Sequence, residues 1–500
     1  MLLRPQVKDF KIIGFYLGKL IIGFALFMIF PILLSLGMNE WAPLFDFLIS
    51  FFFCLIFGLI LNLCCYTDAG PRWSHGLIVV SLSWLVAGFF GAMPLFLSEH
   101  WNSFLDAYFD AMSGLTTTGL SLANDMSHMS YGHNLWRHIL QFIGGQGIVV
   151  VVLSFFVQGV AGTFRLYVGE ARDERVLPNI QQTARFIWIV SLTYLVLGSL
   201  FLAAAAMWDG MPLGNAVFNS VCIFMAAFDT GGFAPHEQNI LYYHSPLFEA
   251  VTMVIMLLGA INFRLHYVLW TGQRKEIWRN FEVTVLFITI MGTFMLVAAG
   301  LSNTDSYPTA VAVFRKGFYH LMSAHTGTGF QTIYPVEFIN EWGSLSLFGL
   351  IFAMGLGGCV SSTTGGIKTM RLGIVAKTFA NDVKYYVSPE SSVFFEKIHH
   401  IKDVILSDKQ MRSALLITLA YTALFFFGSA AGMACGYPFM DSVFESVSAA
   451  GNVGLSCGIT SPTMPPVLKV VYIAQMWVGR LEFISVFALL GFVYALVRGK

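Results

Sequence analysis

Residues 113–121 read SGLTTTGLS, and the same design returns as AAFDTGGFA at 226–234, SAHTGTGFQ at 323–331 and SAAGNVGLS at 448–456. Aligned on one glycine, the loops centre on Gly119, Gly232, Gly329 and Gly454. Each glycine is followed by Leu or Phe. Each is preceded by small or polar residues: Thr116, Thr117 and Thr118; Asp229, Thr230 and Gly231; Thr326, Gly327 and Thr328; Gly451, Asn452 and Val453. Self-similarity at a regular spacing, here roughly 100–125 residues, marks a repeat architecture. Close helix packing through small residues accounts for isolated glycines such as Gly144, Gly145 and Gly147, but not for four aligned loops.

The rest of the chain places these loops in a membrane. Of its 500 residues, 56% are hydrophobic and 11% are charged. A soluble protein carries about 25% charged residues, so this surface is too apolar for water. The formal net charge is zero, which gives no basic excess for binding nucleic acid. Seven cysteines are scattered without a C-x-x-C spacing and read as buried, inert thiols. Arg4, Lys8 and Lys11 precede an apolar run from 12 to 36, too long for a signal peptide core and long enough for a first crossing. Ten crossings are expected near 12–36, 44–65, 76–98, 135–158, 184–207, 246–270, 281–300, 343–358, 412–434 and 467–497. Between them, the stretches 101–115, 213–228, 309–325 and 438–450 are too short to span and read as re-entrant helices.

Basic residues set the orientation. Arg72, then Arg165, Arg172 and Arg175, then Arg274, Lys275 and Arg279, then Lys368, Arg371, Lys377 and Lys384, and finally Arg498 and Lys500 fall on one side with the N-terminus. Both termini are therefore expected in the cytoplasm, and the short helices enter from outside. Asp106, Asp110, Asp209, Asp305, Asp441 and Glu445 lie on or beside the short helices. They either concentrate cations at an outer mouth or simply hydrate helix ends. Arg315 and Lys316 run against that pattern.

The loop chemistry points to a cation. A dehydrated ion needs a cage of oxygens, which rings of backbone carbonyls supply. Aiming successive carbonyls at one axis alternates the hand of the backbone, and glycine takes positive φ at little cost. Threonine hydroxyls add ligands at the inner end, and the C-terminal dipole ends of the short helices favour a cation below. The expected fold is an all-α polytopic membrane protein. It has an N-terminal helix pair (1–70) and four pseudosymmetric helix–pore loop–helix repeats (71–165, 166–280, 281–390 and 391–500) around one central pore.

These loops, SGLTTTG above all, resemble the selectivity filters of the Trk/Ktr/HKT superfamily of potassium transporters, over essentially the whole chain. The first two helices resemble the extra N-terminal pair of TrkH-type subunits. GLGGCVSSTTGGIKTMR at 355–371 resembles the family's Gly-rich break in the third repeat, and GRLEF at 479–483 its motif in the last helix. The resemblance implies potassium uptake across the bacterial inner membrane, with K+ as the transported ion and no bound organic cofactor. It implies a homodimer, with cytosolic nucleotide-binding regulatory subunits of TrkA type as partners besides membrane lipid. The implied filter comprises Thr116, Thr117, Thr118, Gly119, Thr230, Gly231, Gly232, Gly327, Thr328, Gly329, Asn452, Val453 and Gly454. Sodium-permeable relatives carry serine at the first filter glycine, so Gly119 favours potassium. Asp229 departs from the family pattern: it either holds a cation too tightly or points behind the filter. The fourth loop is closer to the Ktr type.

The run from 355 carries Gly357, Gly358, Gly365, Gly366 and Lys368, and does not continue a helix easily. It ends GGIK, so the phosphate-binding Walker pattern fails. It reads either as a loop leaving the membrane or as a gate below the filter. Arg480 sits in the last hydrophobic stretch, where an arginine needs partners unless it snorkels to the interface. Carbonyls of the Gly-rich run suit it better than Glu482, which is on another helix face. Together, Arg480 and the run are expected to form the gate. An ATP-driven pump subunit or a flux-free sensor are the competing transport-related readings. HExxH and convergent Cys/His sets are missing from the sequence, so it is not read as an enzyme.

Overall fold

The computed structural model describes residues 4–147, 180–304, 306–389 and 396–499. Among them, six helices are long and apolar enough to cross a membrane: Val7–Gly37, Trp41–Cys64, Trp73–Leu97, Gln182–Trp208, Phe281–Leu301 and Asp408–Ala434. The first is jointed at Met28, between Val7–Phe27 and Ile29–Gly37. The only described sheet is a hairpin of Lys397–His400 and Lys402–Ile405, in the charged connector before Asp408–Ala434. The chain is thus a polytopic helical membrane protein, as expected, with one small β element.

Two expected crossings need correction. The stretches 246–270 and 467–497 are not continuous. Pro246–Ala260 meets Phe263–Trp270 at 101°, and Pro466–Arg480 meets Ile484–Arg498 at 113°. At the first bend Ile261 is extended and the Asn262 side chain caps the Arg264 N–H. At the second, Glu482 and Phe483 take φ of +50° and +73°. The expected crossing at 343–358 is a helix only over Gly343–Gly355. That expected at 135–158 is helical over Tyr131–Gln146, and its remainder lies outside the described residues, as do Arg165, Arg172 and Arg175.

The four short stretches are helices where the sequence places them: Phe104–Leu115, Leu213–Phe228, a run over 310–325 and Phe439–Ala450. In the third, Phe314–Phe318 forms a π turn. Their starts follow from local chemistry. The Ser103 and Thr309 side chains accept the N–H groups of Asp106 and Ala312, both at 3.2 Å. Pro212 and Pro438 precede the other two.

The N-terminal pair shows how the membrane helices pack. A Cβ built on Gly18 would lie 2.9 Å from Gly58 O, and one on Gly58 would lie 3.2 Å from Gly18 O. The two backbones therefore touch through facing glycines, the route open to helices that gain little from burying apolar surface in lipid. Phe45, Ile49, Phe52, Ile56, Ile60 and Leu63 on Trp41–Cys64 stay exposed, as a lipid-facing side requires.

Replacing Gly58 by Val drives a side chain into Ile22 and Gly18. Overpacking of this kind costs roughly 1–3 kcal/mol. Gly58→Val is expected to melt at lower temperature in detergent, whereas Gly37→Ala, with no neighbour within 4 Å of its added Cβ, is not. Equal melting temperatures for wild type and Gly58→Val would refute the glycine-to-glycine crossing.

Candidate ion-coordinating site

The four short helices end alike. The N–H before each aligned glycine turns back to a carbonyl five residues upstream: Thr118 to Ser113 (2.8 Å), Gly231 to Ala226 (2.7 Å), Thr328 to Ser323 (2.8 Å) and Val453 to Ser448 (2.9 Å). The chain then alternates in hand. Gly119, Gly232, Gly329 and Gly454 have φ of +91°, +73°, +81° and +91°. Two positions earlier, Thr117, Thr230, Gly327 and Asn452 have φ of +54°, +51°, +70° and +54°. The second left-handed position is therefore glycine in only one repeat, which is why sequence reading found the first and missed the second.

The loops meet in a closed order. A Cβ on Gly119 would lie 2.3 Å from Gly231 O, and one on Gly232 would lie 2.0 Å from Thr328 O. A Cβ on Gly329 would lie 2.0 Å from Val453 O, and one on Gly454 would lie 1.9 Å from Thr118 O. Each repeat leans on the next, and the fourth returns to the first. Thr118, Gly231, Thr328 and Val453 thus bring their carbonyls to one place, and all four are buried.

Most of the threonine hydroxyls work behind the strands. Those of Thr116 and Thr326 donate to Met112 O and Met322 O, each at 2.7 Å, and sit 2.8 Å from the hydroxyls of Thr118 and Thr328. Asn452 Nδ2 crosses to Thr118 Oγ1 and to Met476 O, both at 3.0 Å. The hydroxyl protons of Thr116 and Thr326 are thus committed to helix carbonyls. Thr117 Oγ1 is buried without a hydrogen-bond partner among the described residues.

Asp229 takes the second of its two readings. Its Oδ1 accepts from Gln146 Nε2 at 2.8 Å, and Gln146 Oε1 accepts from the Ser191 hydroxyl at 2.9 Å. The carboxylate sits against Gly145, where an added Cβ would lie 2.2 Å from it. It braces the loop from behind. In the same repeat, the Gln141 side chain donates to Gly231 O and accepts from Phe233 N–H at 3.3 Å.

Three of these acids, Asp106, Asp110 and Glu445, fit neither expectation for them. Asp106 is buried and paired with Lys469 at 2.6 Å. Asp110 and Glu445 are fully buried and accept hydrogen bonds from their own loops. Asp209 alone is clearly exposed, Asp441 is half-buried, and Asp305 lies outside the described residues. Arg315 and Lys316 are also occupied: Arg315 holds Glu249 at 2.7 and 2.8 Å, and Lys316 donates to Thr332 O at 2.8 Å.

The Gly-rich run packs directly against the ring. A Cβ on Gly365 would lie 2.3 Å from Gly451 O, one on Gly357 2.0 Å from Gly365 O, and one on Gly358 2.6 Å from Ala260 O. Gly366 has φ +67°, and Lys368 Nζ reaches back to Thr364 O. Thr363 is the junction. Its hydroxyl donates to Phe228 O or Gly259 O, both at 2.9 Å, and lies 3.3 Å from the Thr230 hydroxyl. Its carbonyl accepts from Arg480 Nη1 at 2.6 Å, while Nη2 donates to Gly144 O at 2.7 Å. Arg480 therefore does not snorkel. Glu482 pairs instead with Arg371. On the other side of the run, Glu282 accepts the Val360 N–H at 2.8 Å.

Sequence reasoning missed the roles of Phe228, Gly259, Asn262, Glu282 and Gly144. One regularity was available to it. Gly147 follows Gly119 at the interval by which Ala260 follows Gly232, Gly357 follows Gly329, and nearly that by which Leu481 follows Gly454. At each of these points the helix after the loop stops.

Comparison with known proteins places this geometry in context. The family model described as TrkH, cation transport protein, matches residues 43–493. An uncharacterized cation transporter of Methanocaldococcus jannaschii is 32% identical over 98% of this chain and 97% of its own. The Trk system potassium uptake protein TrkH of Salmonella typhimurium is 28% identical over 96% of this chain and 98% of its own. The crystal structure of the potassium transporter TrkH from Vibrio parahaemolyticus superposes with a TM-score of 0.81 at 25% identity, covering 96% of this chain and 98% of that one.

The closed ring predicts an asymmetry among glycines. Gly329→Ala puts a methyl group into Val453 O at a left-handed φ, whereas Gly292→Ala, in the middle of Phe281–Leu301, meets nothing within 4 Å. Gly329→Ala is expected to lower the melting temperature of the purified protein, and Gly292→Ala to leave it unchanged or raise it, since alanine adds up to about 1 kcal/mol of helix stability over glycine. A Gly329→Ala protein as stable as wild type would show that the loops do not meet as described.

Proposed function

Because the chain belongs to the TrkH family of cation transport proteins, we propose that it takes up potassium ions along the axis enclosed by its four loops. The closed order of the four loops carries this reading: each aligned glycine leaves room for the carbonyl of the next repeat. Backbone oxygens gathered from four strands suit a dehydrated monovalent cation. The filter of this proposal comprises Thr116 to Gly119, Thr230 to Gly232, Gly327 to Gly329 and Asn452 to Gly454. Hydroxyl and amide groups behind the strands hold them in place. The division into an N-terminal pair and four repeats is part of the same reading.

The gate of the proposal is the run holding Gly357, Gly358, Gly365, Gly366 and Lys368, locked by Arg480. One guanidinium bridges Thr363 O on that run and Gly144 O on the second helix of the first repeat. A hydrogen bond from a charged donor contributes about 1.5–3 kcal/mol. The names of relatives speak of a Trk system, which supports further components; in this proposal they are cytosolic nucleotide-binding subunits of TrkA type and a second copy of the chain. The basic loops support both termini lying in the cytoplasm, and the bacterial Trk relatives support an inner-membrane location.

Rubidium uptake into potassium-uptake-deficient cells tests the whole reading, and no uptake above the empty vector would end it. Arg480→Ala is expected to raise the resting rubidium leak of proteoliposomes about ten- to a hundredfold, the range that one lost charged hydrogen bond allows. An unchanged leak and unchanged regulated flux would remove Arg480 from the gate. Gly119→Ser is expected to lower potassium-over-sodium discrimination, read as the ratio of rubidium to sodium flux.

A further inference from the structure

The repeats share a second pattern that flanks the loops. Nine positions before the aligned glycine stand Asp110, Ile223, His320 and Glu445; three positions after it stand Leu122, Pro235, Thr332 and Cys457. In three repeats, the first of these side chains accepts the backbone N–H of the second residue. Asp110 Oδ1 accepts from Leu122 at 2.6 Å, His320 Nε2 from Thr332 at 3.0 Å, and Glu445 Oε2 from Cys457 at 3.1 Å. In the remaining repeat the donor position is Pro235, which has no N–H. There the acceptor position is Ile223, which has no acceptor. The acceptor is missing only where the donor is missing.

The three acceptors differ in chemistry and agree in role. His320 Nδ1 donates to Lys316 O at 2.7 Å, so its Nε2 is the bare nitrogen of a neutral imidazole. Asp110 also accepts the Ser121 hydroxyl at 2.7 Å and lies 3.8 Å from Arg137. Glu445 is bound by neutral donors, the Ser456 hydroxyl and the Thr460 N–H, both at 2.8 Å. All three are fully buried. What the repeats share is a fixed oxygen or nitrogen acceptor, not a charge. The second repeat is tied differently: Asn134 Nδ2 donates to Pro235 O, and Asn239 Nδ2 to Gly232 O, both at 3.1 Å.

We infer that Asp110, His320 and Glu445 are positioning residues that set ion selectivity by stapling the outer end of each loop to its own short helix. This inference rests on the reading that the loops line the ion path. In one account of filter selectivity, the cage is held at a fixed size so that a smaller ion is poorly coordinated. A strand fixed at its inner end by the helix and at its outer end by the staple resists that contraction. Ile223 and Pro235 are the apolar form of the same device, because a ring with fixed φ stiffens the strand without an N–H that needs a partner.

The test uses the full chain in proteoliposomes, with rubidium and sodium fluxes measured on the same preparation. Glu445→Met keeps the length of the side chain and removes the acceptor; Glu445→Gln keeps an acceptor without charge. The rubidium-to-sodium flux ratio is expected to fall at least tenfold in Glu445→Met and to stay within about twofold of wild type in Glu445→Gln. A second arm decides the matter where Glu445→Met does not fold. Pro235→Ala exposes an N–H with no acceptor and is expected to lower the ratio. Adding Ile223→Asn to Pro235→Ala is expected to recover at least half of that loss. An unchanged ratio in Glu445→Met, or a double variant no better than Pro235→Ala alone, would overturn the inference. Gly119→Ser separates the two levels. A ratio that moves in Gly119→Ser but not in Glu445→Met removes the staples and leaves the filter standing, whereas a ratio moved by neither removes the filter itself.

Discussion

The structure depends on one contact made four times: a carbonyl oxygen occupying the space where a side chain would begin. At Gly119, Gly232, Gly329 and Gly454 an added Cβ would stand 2.3 Å or less from the carbonyl of the next repeat. This is well inside van der Waals contact, so the loops approach as they do only because these residues have no side chain. Positive φ at the same glycines is the conformational half of the requirement. Much else follows from it. Four strands meeting at one place need four supports at the same depth, and the short helices provide them. Four supports in one chain need four repeats, and the long helices carry the chain back to start each one.

The ring is symmetric in backbone and asymmetric in side chains. Repeats one and three share the hydroxyl pair Thr116–Thr118 and Thr326–Thr328. Repeat four replaces it with Asn452, whose amide reaches into repeat one. Repeat two replaces it with Asp229, which turns away to Gln146. A carboxylate in this position is costly unless it is hydrogen-bonded, and it is placed where Gly145 leaves room. The asymmetry continues below, where the Gly-rich run of repeat three lies against the loops of repeats two and four through Thr363 and Gly365. A fully symmetric channel would have no place for such a run. It lies beneath only part of the ring because only one of the four similar repeats carries it.

The loops were legible in the sequence because glycine leaves a mark that recurs at a regular interval. The short helices were legible from their length. What was not legible depends on contacts distant in sequence. Asp110 and Glu445 read as surface acids because nothing local says that their partners, Leu122 and Cys457, come back over them after the loop. The bends at 261–262 and 481–483 were hidden because those residues include neither Gly nor Pro, and apolar flanks on both sides imitate one continuous crossing. Half of the Arg480 site was foreseen, since the Gly-rich run is an unusual sequence. The other half, Gly144, belongs to the first repeat and has no local signal that pairs it with Arg480.

The breaks in the helices after the loops also explain how the run below the ring is held. A helix that stops inside a membrane leaves carbonyls without N–H partners, and no water is at hand to satisfy them. Each of the four helices finds a substitute. Arg480 serves Gly144 O, and the Tyr421 hydroxyl serves Gly479 O at 2.7 Å. The N–H groups of Thr363 and Cys359 serve Gly259 O and Ala260 O at 3.2 and 2.9 Å, and Ile367 N–H serves Gly355 O at 3.1 Å. Two of these four helix ends are thus completed by the Gly-rich run itself, and a third by the arginine that grips it. Displacing the run strips Gly259 O, Ala260 O and Gly355 O of these donors, at a cost that only incoming water or new protein partners offset. The position of the run is for that reason a definite, hydrogen-bonded state.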